Sequence, residues 1–242
     1  MLYMTRKSGN FLNGRYTANK KMDWFEIYNG DCLALLNNIP DGSVDCVITD
    51  PPYGIGYQSN MKKNKDLPMF YDRNTAWVSE FMYKAHKAMK NDAHMYMFCP
   101  QQKIDEFKQK IECFFILKNI LVWNKGGFGM GDLDGSYAPS YEFILFAVKE
   151  QGRKLNGKRD KDVLDYGKVK PQYHPTQKPV DLIEFLIAKS TNEGDLVLDP
   201  FMGSGTTGIA CFRKNRRFAG MEISEDYFKV AKERIENMTK LF

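Results

Sequence analysis

The residues Asp50-Pro51-Pro52-Tyr53 set a carboxylate, a backbone carbonyl on a stiff segment and a flat ring side by side. Two prolines fix φ and keep the residue before them extended. The set suits chemistry on the exocyclic amine of an aromatic base. That nitrogen is a poor nucleophile, because its lone pair is delocalised into the ring. Two acceptors on its N–H hydrogens, from Asp50 and from the carbonyl of Pro51, would draw it toward tetrahedral geometry, and Tyr53 would offer a surface to stack on. The gain would be positioning and electrostatics. Taken alone, D-P-P is equally good turn chemistry, so the four residues also fit a plain strand-ending turn.

A second group lies far along the chain. Leu196-Val197-Leu198-Asp199-Pro200-Phe201-Met202-Gly203-Ser204-Gly205-Thr206-Thr207-Gly208 reads as strand, glycine turn and helix. Gly203, Gly205 and Gly208 satisfy G-x-G-x-x-G, and Glu222 falls at the end of the next strand, where an acid would meet ribose hydroxyls. The pattern fits an adenosine-containing ligand, an NAD site, or a tight turn with no ligand. Thr206-Thr207 stands where a P-loop needs Lys-Ser/Thr. Asp199 discriminates further, because a carboxylate there would repel a pyrophosphate and attract the ammonium of a methionine moiety. That points from NAD toward S-adenosylmethionine, with the Thr206 and Thr207 hydroxyls open to its carboxylate.

The elements that must position these groups alternate. A short strand at 25–28 ends at Asn29-Gly30-Asp31, and a helix over 33–38 stops at Pro40-Asp41-Gly42. The β-branched run Val44–Thr49 reads as a buried parallel strand leading into Asp50. Helices are expected over 77–89, 103–113, 179–190, 206–213 and 225–238. Strands are expected over 93–99, 116–123, 141–148, 196–198 and 218–221. This alternation implies an α/β fold with a doubly wound, mostly parallel sheet.

Residues 1–23 read as a loose basic arm, and 24–242 as a single domain. Within it, 24–148 carries the Asp50 motif and 174–242 the glycine turn. Between them, residues 149–173 hold eight Lys/Arg against four Asp/Glu. The chain has 242 residues, 43% of them apolar, and a net charge of +5, a mild lean toward anionic partners. Its five cysteines form no C-x-x-C pair, and three histidines add no metal-ligand spacing, so reduced thiols in a cytoplasmic protein without a metal are expected. No apolar run reaches the roughly 20 residues of a membrane helix.

The motifs together are specific. Asp50-Pro51-Pro52-Tyr53 resembles the D-P-P-Y motif of the N6-adenine and N4-cytosine DNA methyltransferases, Asp199–Thr207 resembles their cofactor loop, and His174-Pro175-Thr176-Gln177-Lys178-Pro179 resembles the segment before that loop. The catalytic motif precedes the cofactor loop, an order similar to the circularly permuted beta group, and the likeness runs from about Trp24 onward. It implies a Rossmann-like S-adenosylmethionine-dependent methyltransferase that flips its target base out of the duplex. Asp50, Pro51, Pro52 and Tyr53 would handle the base. Asp31, Cys32, Thr176, Lys178, Asp199, Phe201, Gly203, Ser204, Gly205, Thr206, Thr207 and Glu222 would form the cofactor pocket, with Thr176 and Lys178 at its methionine end and His174 structural. Adenine N6 is the expected target, because Ser-Pro-Pro-Tyr is the commoner start among the N4-cytosine enzymes. DNA contacts are expected from Lys62, Lys63 and Lys65 in the 54–75 loop, from the 124–140 glycine loop, and from Arg153, Lys154, Lys158 and Arg159. A homodimer and a companion restriction enzyme are family-level expectations. The short 149–173 segment takes the place of a larger recognition module, which puts strong sequence specificity in question.

Overall fold

The computed structural model describes residues 24–53, 75–129, 134–170 and 172–240. The 1–23 arm and Lys62, Lys63 and Lys65 lie outside the described residues. In chain order come β1 (Phe25–Asn29), α1 (Cys32–Leu35), β2 (Val44–Thr49), α2 (Trp77–Ala88), β3 (Met89–Cys99), α3 (Ile104–Glu112), β4 (Ile116–Asn124) and β5 (Tyr141–Val148). Then follow β6 (Val163–Asp165), α4 (Val180–Ser190), β7 (Leu196–Asp199), α5 (Thr206–Arg213), β8 (Arg217–Glu222) and α6 (Glu225–Lys240).

The strands form one sheet in the order β1-β8-β7-β2-β3-β5-β4-β6. β2 alternates its side chains between two separate cores, as a strand covered on both faces must. Val44 and Val47 join the core under α1, α2 and α3, with Phe81, Met82, Phe107 and Ile111. Cys46 and Ile48 join the core under α4, α5 and α6, with Leu182, Leu186, Cys211 and Ala231. Helices therefore cover both faces, which is the doubly wound arrangement expected.

Every pairing is parallel except those of β5, which runs antiparallel to both β3 and β4. The chain reverses there because β4 and β5 are joined by a loop and not by a crossover helix, and a parallel pair needs the crossover. Two local departures from expectation are also physical. The helix expected over 33–38 is one α turn followed by a 3-10 turn over Leu36–Asn38. β6 went unrecognised because it is three residues long within a charged stretch, with only Leu164 buried.

Candidate active site

The parallel strands end along one edge of the sheet, and the site is built there, as in other open α/β sheets. β2 delivers Asp50, β7 delivers Asp199, β8 delivers Glu222 and β1 delivers the turn holding Asp31. The last two are locked together: the Gly30 N–H donates to the Glu222 carbonyl at 2.9 Å, and Asn29 Nδ2 does so at 2.8 Å. Asp31 caps α1, accepting from the Leu33 N–H at 2.8 Å. Cys32 is 3% exposed and packs into the core under α1, α2 and α3.

The glycine turn is held by the acids around it. Glu222 accepts from the Gly203 N–H at 3.0 Å and from the Ser224 N–H at 2.8 Å. Asp199 accepts from the Phe201 N–H at 3.1 Å and from Thr207 Oγ1 at 2.6 Å. Thr207 therefore serves Asp199, a departure from its expected role on a ligand carboxylate. Gly205 begins α5 at φ +81°, in the left-handed region, and a Cβ there would stand 3.1 Å from the Ala231 Cβ of α6. Phe201 lays its ring against Trp77 and Phe81, 5.4 Å from each, and so forms an apolar wall.

Burial pushes the Asp199 carboxyl up to about 7, and its hydrogen bonds from Thr207 and Phe201 offset only part of that. Burial also raises Glu222, against the pull of its backbone N–H partners. Among the described residues no cation pairs with Asp199. A buried carboxylate without a counter-ion among the described residues, beside a glycine turn and an aromatic wall, fits a ligand that carries positive charge next to an adenosine. S-adenosylmethionine, with its sulfonium and ammonium, fits this donor set.

The His174–Pro179 turn folds over the glycine turn. A Cβ placed on Gly203 would lie 3.6 Å from the His174 ring. His174 Nδ1 accepts from the Thr176 N–H at 3.2 Å, and Thr176 Oγ1 lies 3.0 Å from the same nitrogen. Burial and the nearby Lys178 lower His174 to about 4, so its ring is neutral, as an accepting nitrogen requires. Lys178, expected at the methionine end of the cofactor, is tied to the Asp50 motif. Its Nζ donates to Asp50 Oδ2 at 2.5 Å, pairs with Glu142 at 3.3 Å, and sits over the Phe98 and Trp123 rings at 4.8 and 6.0 Å. Burial alone would depress this ammonium, but Asp50 and Glu142 outweigh it and hold it at about 12. Glu142 is drawn down, against its own burial, by Lys178 and Lys125, the latter 2.6 Å away. Tyr53 donates its hydroxyl to Asp50 Oδ1, and its ring meets Phe107 edge-on.

Glu142 and Lys125 escaped the sequence reading. The usable signal was a lone acid in the otherwise apolar strand Tyr141–Val148. The basic stretch needs a correction. Arg153 lies at the amino ends of β2 and β7, opposite the site, where it bridges Asp45, Asp92 and Asp195 at 3.0–3.1 Å. A guanidinium shared among three carboxylates has little left for phosphate. Lys154, Lys158 and Arg159 follow at that same end. Asn156 caps the last carbonyls of α4 there, and Lys189 donates to the Lys158 carbonyl at 2.6 Å. The chain then crosses the sheet edge as β6. Only its continuation, with exposed Lys168 and Lys170, reaches the Asp50 side, where the Lys168 N–H meets the Lys125 carbonyl at 3.0 Å.

Comparison with known proteins agrees with this geometry. The DNA methylase family (N6_N4_Mtase) matches residues 44–233. The chain is 30% identical to the DNA adenine methyltransferase YhdJ of Escherichia coli, covering 87% of this chain and 82% of that protein. It is 30% identical to the type II methyltransferase M2.MboI of Moraxella bovis, covering 89% of each. Among solved structures, the M1.HpyAVI–SAM complex superposes with a TM-score of 0.69 at 30% identity, over 87% of this chain and 99% of that one. The cytosine-N4-specific PvuII methyltransferase superposes at 0.67 with 20% identity, over 89% and 91%, and so shares the fold.

Proposed function

Since the chain belongs to the N6_N4_Mtase family of DNA methylases, we propose that it methylates the N6 amine of adenine in DNA, using S-adenosylmethionine. The observation that carries the reading is the clamped Asp50 at the carboxyl end of β2, facing the same edge as Asp199 and Glu222. The adenine methyltransferase named among its 30% identical relatives supports the choice of base.

When bound, S-adenosylmethionine supplies an electrophilic methyl group on sulfur. Asp199 would face its positive charge, and Glu222 and Asp31 would face its adenosine. Asp50 and the Pro51 carbonyl would accept the two N–H hydrogens of the target amine and turn its lone pair outward. In the structure both Asp50 oxygens are engaged, one by Lys178 and one by the Tyr53 hydroxyl. A carboxylate oxygen accepts more than one bond, so an incoming amine can join Lys178 there. The Tyr53 hydroxyl must yield for its ring to stack on the base. DNA is the partner, and the cytoplasm the expected compartment. Among the described residues no helix is long and apolar enough to cross a membrane. A homodimer and an accompanying restriction enzyme complete the proposal by family likeness alone.

The test uses tritiated S-adenosylmethionine and methylation-free DNA, digested to nucleosides. Label is expected in N6-methyladenine, and Asp50→Ala is expected to abolish it while cofactor binding persists. Label in N4-methylcytosine would transfer the reading to the cytosine amine.

A further inference from the structure

Phe128 is 81% exposed and Tyr137 100% exposed, the most exposed large hydrophobic side chains among the described residues. Isolated exposed apolar groups need no explanation, but these two share one loop. It joins β4 to β5 at the carboxyl end of β4, the edge that carries Asp50. Its two arms are tied by the bonds Lys125 N–H to Ser140 O at 3.0 Å and Gly129 N–H to Pro139 O at 2.8 Å. The loop base is coupled to the site through Lys125, Glu142 and Lys178. Alongside runs the segment after β6. The Gly167 Cα would lie 3.9 Å from a Cβ on Gly126, and Lys168 and Lys170 are exposed with no ion pair in the described structure.

Aromatic rings in water beside unpaired lysines match the chemistry of a nucleic acid, whose bases stack and whose phosphates are anionic. The exposed lysines alongside favour a nucleic acid over a protein partner, because protein–protein interfaces are depleted in lysine. We propose that Phe128 and Tyr137 stack on bases flanking the extruded target, and that Lys168 and Lys170 hold the adjoining phosphates. This inference rests on the DNA-methylating reading. It replaces Arg153, Lys154, Lys158 and Arg159 as the basic contacts of the stretch.

The experiment uses the full chain, a fluorescein-labelled 40-base-pair duplex of mixed sequence, and methylation-free genomic DNA. Phe128→Ser with Tyr137→Ser should weaken duplex binding about 10- to 100-fold and lower genomic methylation at limiting DNA. The thermal shift given by S-adenosylmethionine should be unchanged, which shows a folded pocket. Lys168→Gln with Lys170→Gln should lower the slope of log affinity against log salt by about 2. Lys154→Gln with Lys158→Gln, at the opposite end, should change neither quantity. If the wild type methylates DNA but the aromatic pair binds and turns over like it, the inference fails alone. A wild type that labels no DNA overturns the underlying reading, and this inference with it.

Discussion

Replacing Lys178 by Met removes the sole cation that pairs with Asp50 among the described residues. The side chains of Lys178 and Asp50 are 10% and 20% exposed, so solvent screening is partial. At an effective dielectric of about 20 and a charge separation of about 4 Å, the pair is worth about 4 kcal/mol. Halving that for residual solvent and side-chain relaxation leaves about 2 kcal/mol, or about 30-fold in rate. Glu142 keeps Lys125 at 2.6 Å, so the loss falls mainly on Asp50. The sign follows from the role. Lys178 holds the Asp50 carboxylate where it can accept the hydrogens of the target amine, and without that tie the carboxylate is free to turn away. Single-turnover methylation near neutral pH should show the rate of methyl transfer down about 30-fold. Lys178→Arg should recover most of it. A Lys178→Met enzyme with the wild-type rate would refute the reasoning. So would a defect confined to cofactor affinity, which would return Lys178 to the cofactor pocket.

Asp199, raised to about 7, must be ionised to hold a cation. S-adenosylmethionine affinity by calorimetry should therefore fall about tenfold from pH 8 to pH 6, and Asp199→Asn should flatten that slope. Gly205→Ala places a Cβ at φ +81°, 3.1 Å from Ala231. It should cost about 1–3 kcal/mol and lower Tm by roughly 2–10 °C in calorimetry. Arg153→Met leaves Asp45, 1% exposed, with Lys90 as its sole charged partner among the described residues. Urea titration should show a loss of about 2–4 kcal/mol, with duplex affinity unchanged at fixed salt.

The alternation of strands and helices was legible because buried parallel strands such as Val44–Thr49 are rich in apolar and β-branched residues and each ends at a turn signal. The glycine turn was legible because left-handed backbone at Gly203 and Gly205 demands glycine. Strand direction at β5 was not, since a buried strand has the same composition in either sense. Nor was the fate of individual charges. Arg153 and Lys168 belong to one basic run, yet β6 carries the chain across the sheet between them, and nothing in local composition marks the crossing. Lys178 stands out in sequence only through its place in the His174–Pro179 motif, while its ion-pair partners Asp50 and Glu142 lie 128 and 36 positions away.

The order of strands bears on how the molecule comes into being. β1 and β2 are close in sequence, but β8 and β7 lie between them in the sheet. Until those two strands leave the ribosome, β1 has no partner at all and β2 has an open flank. About 190 residues separate Phe25 from Arg217, a wait of about 10–40 s at ordinary synthesis rates. Asp50 meanwhile hangs at the end of a half-paired strand. Native acquisition is thus delayed to the last stretch of translation, and a nascent chain stalled before Leu196 would display two unpaired edges to chaperones or to its neighbours.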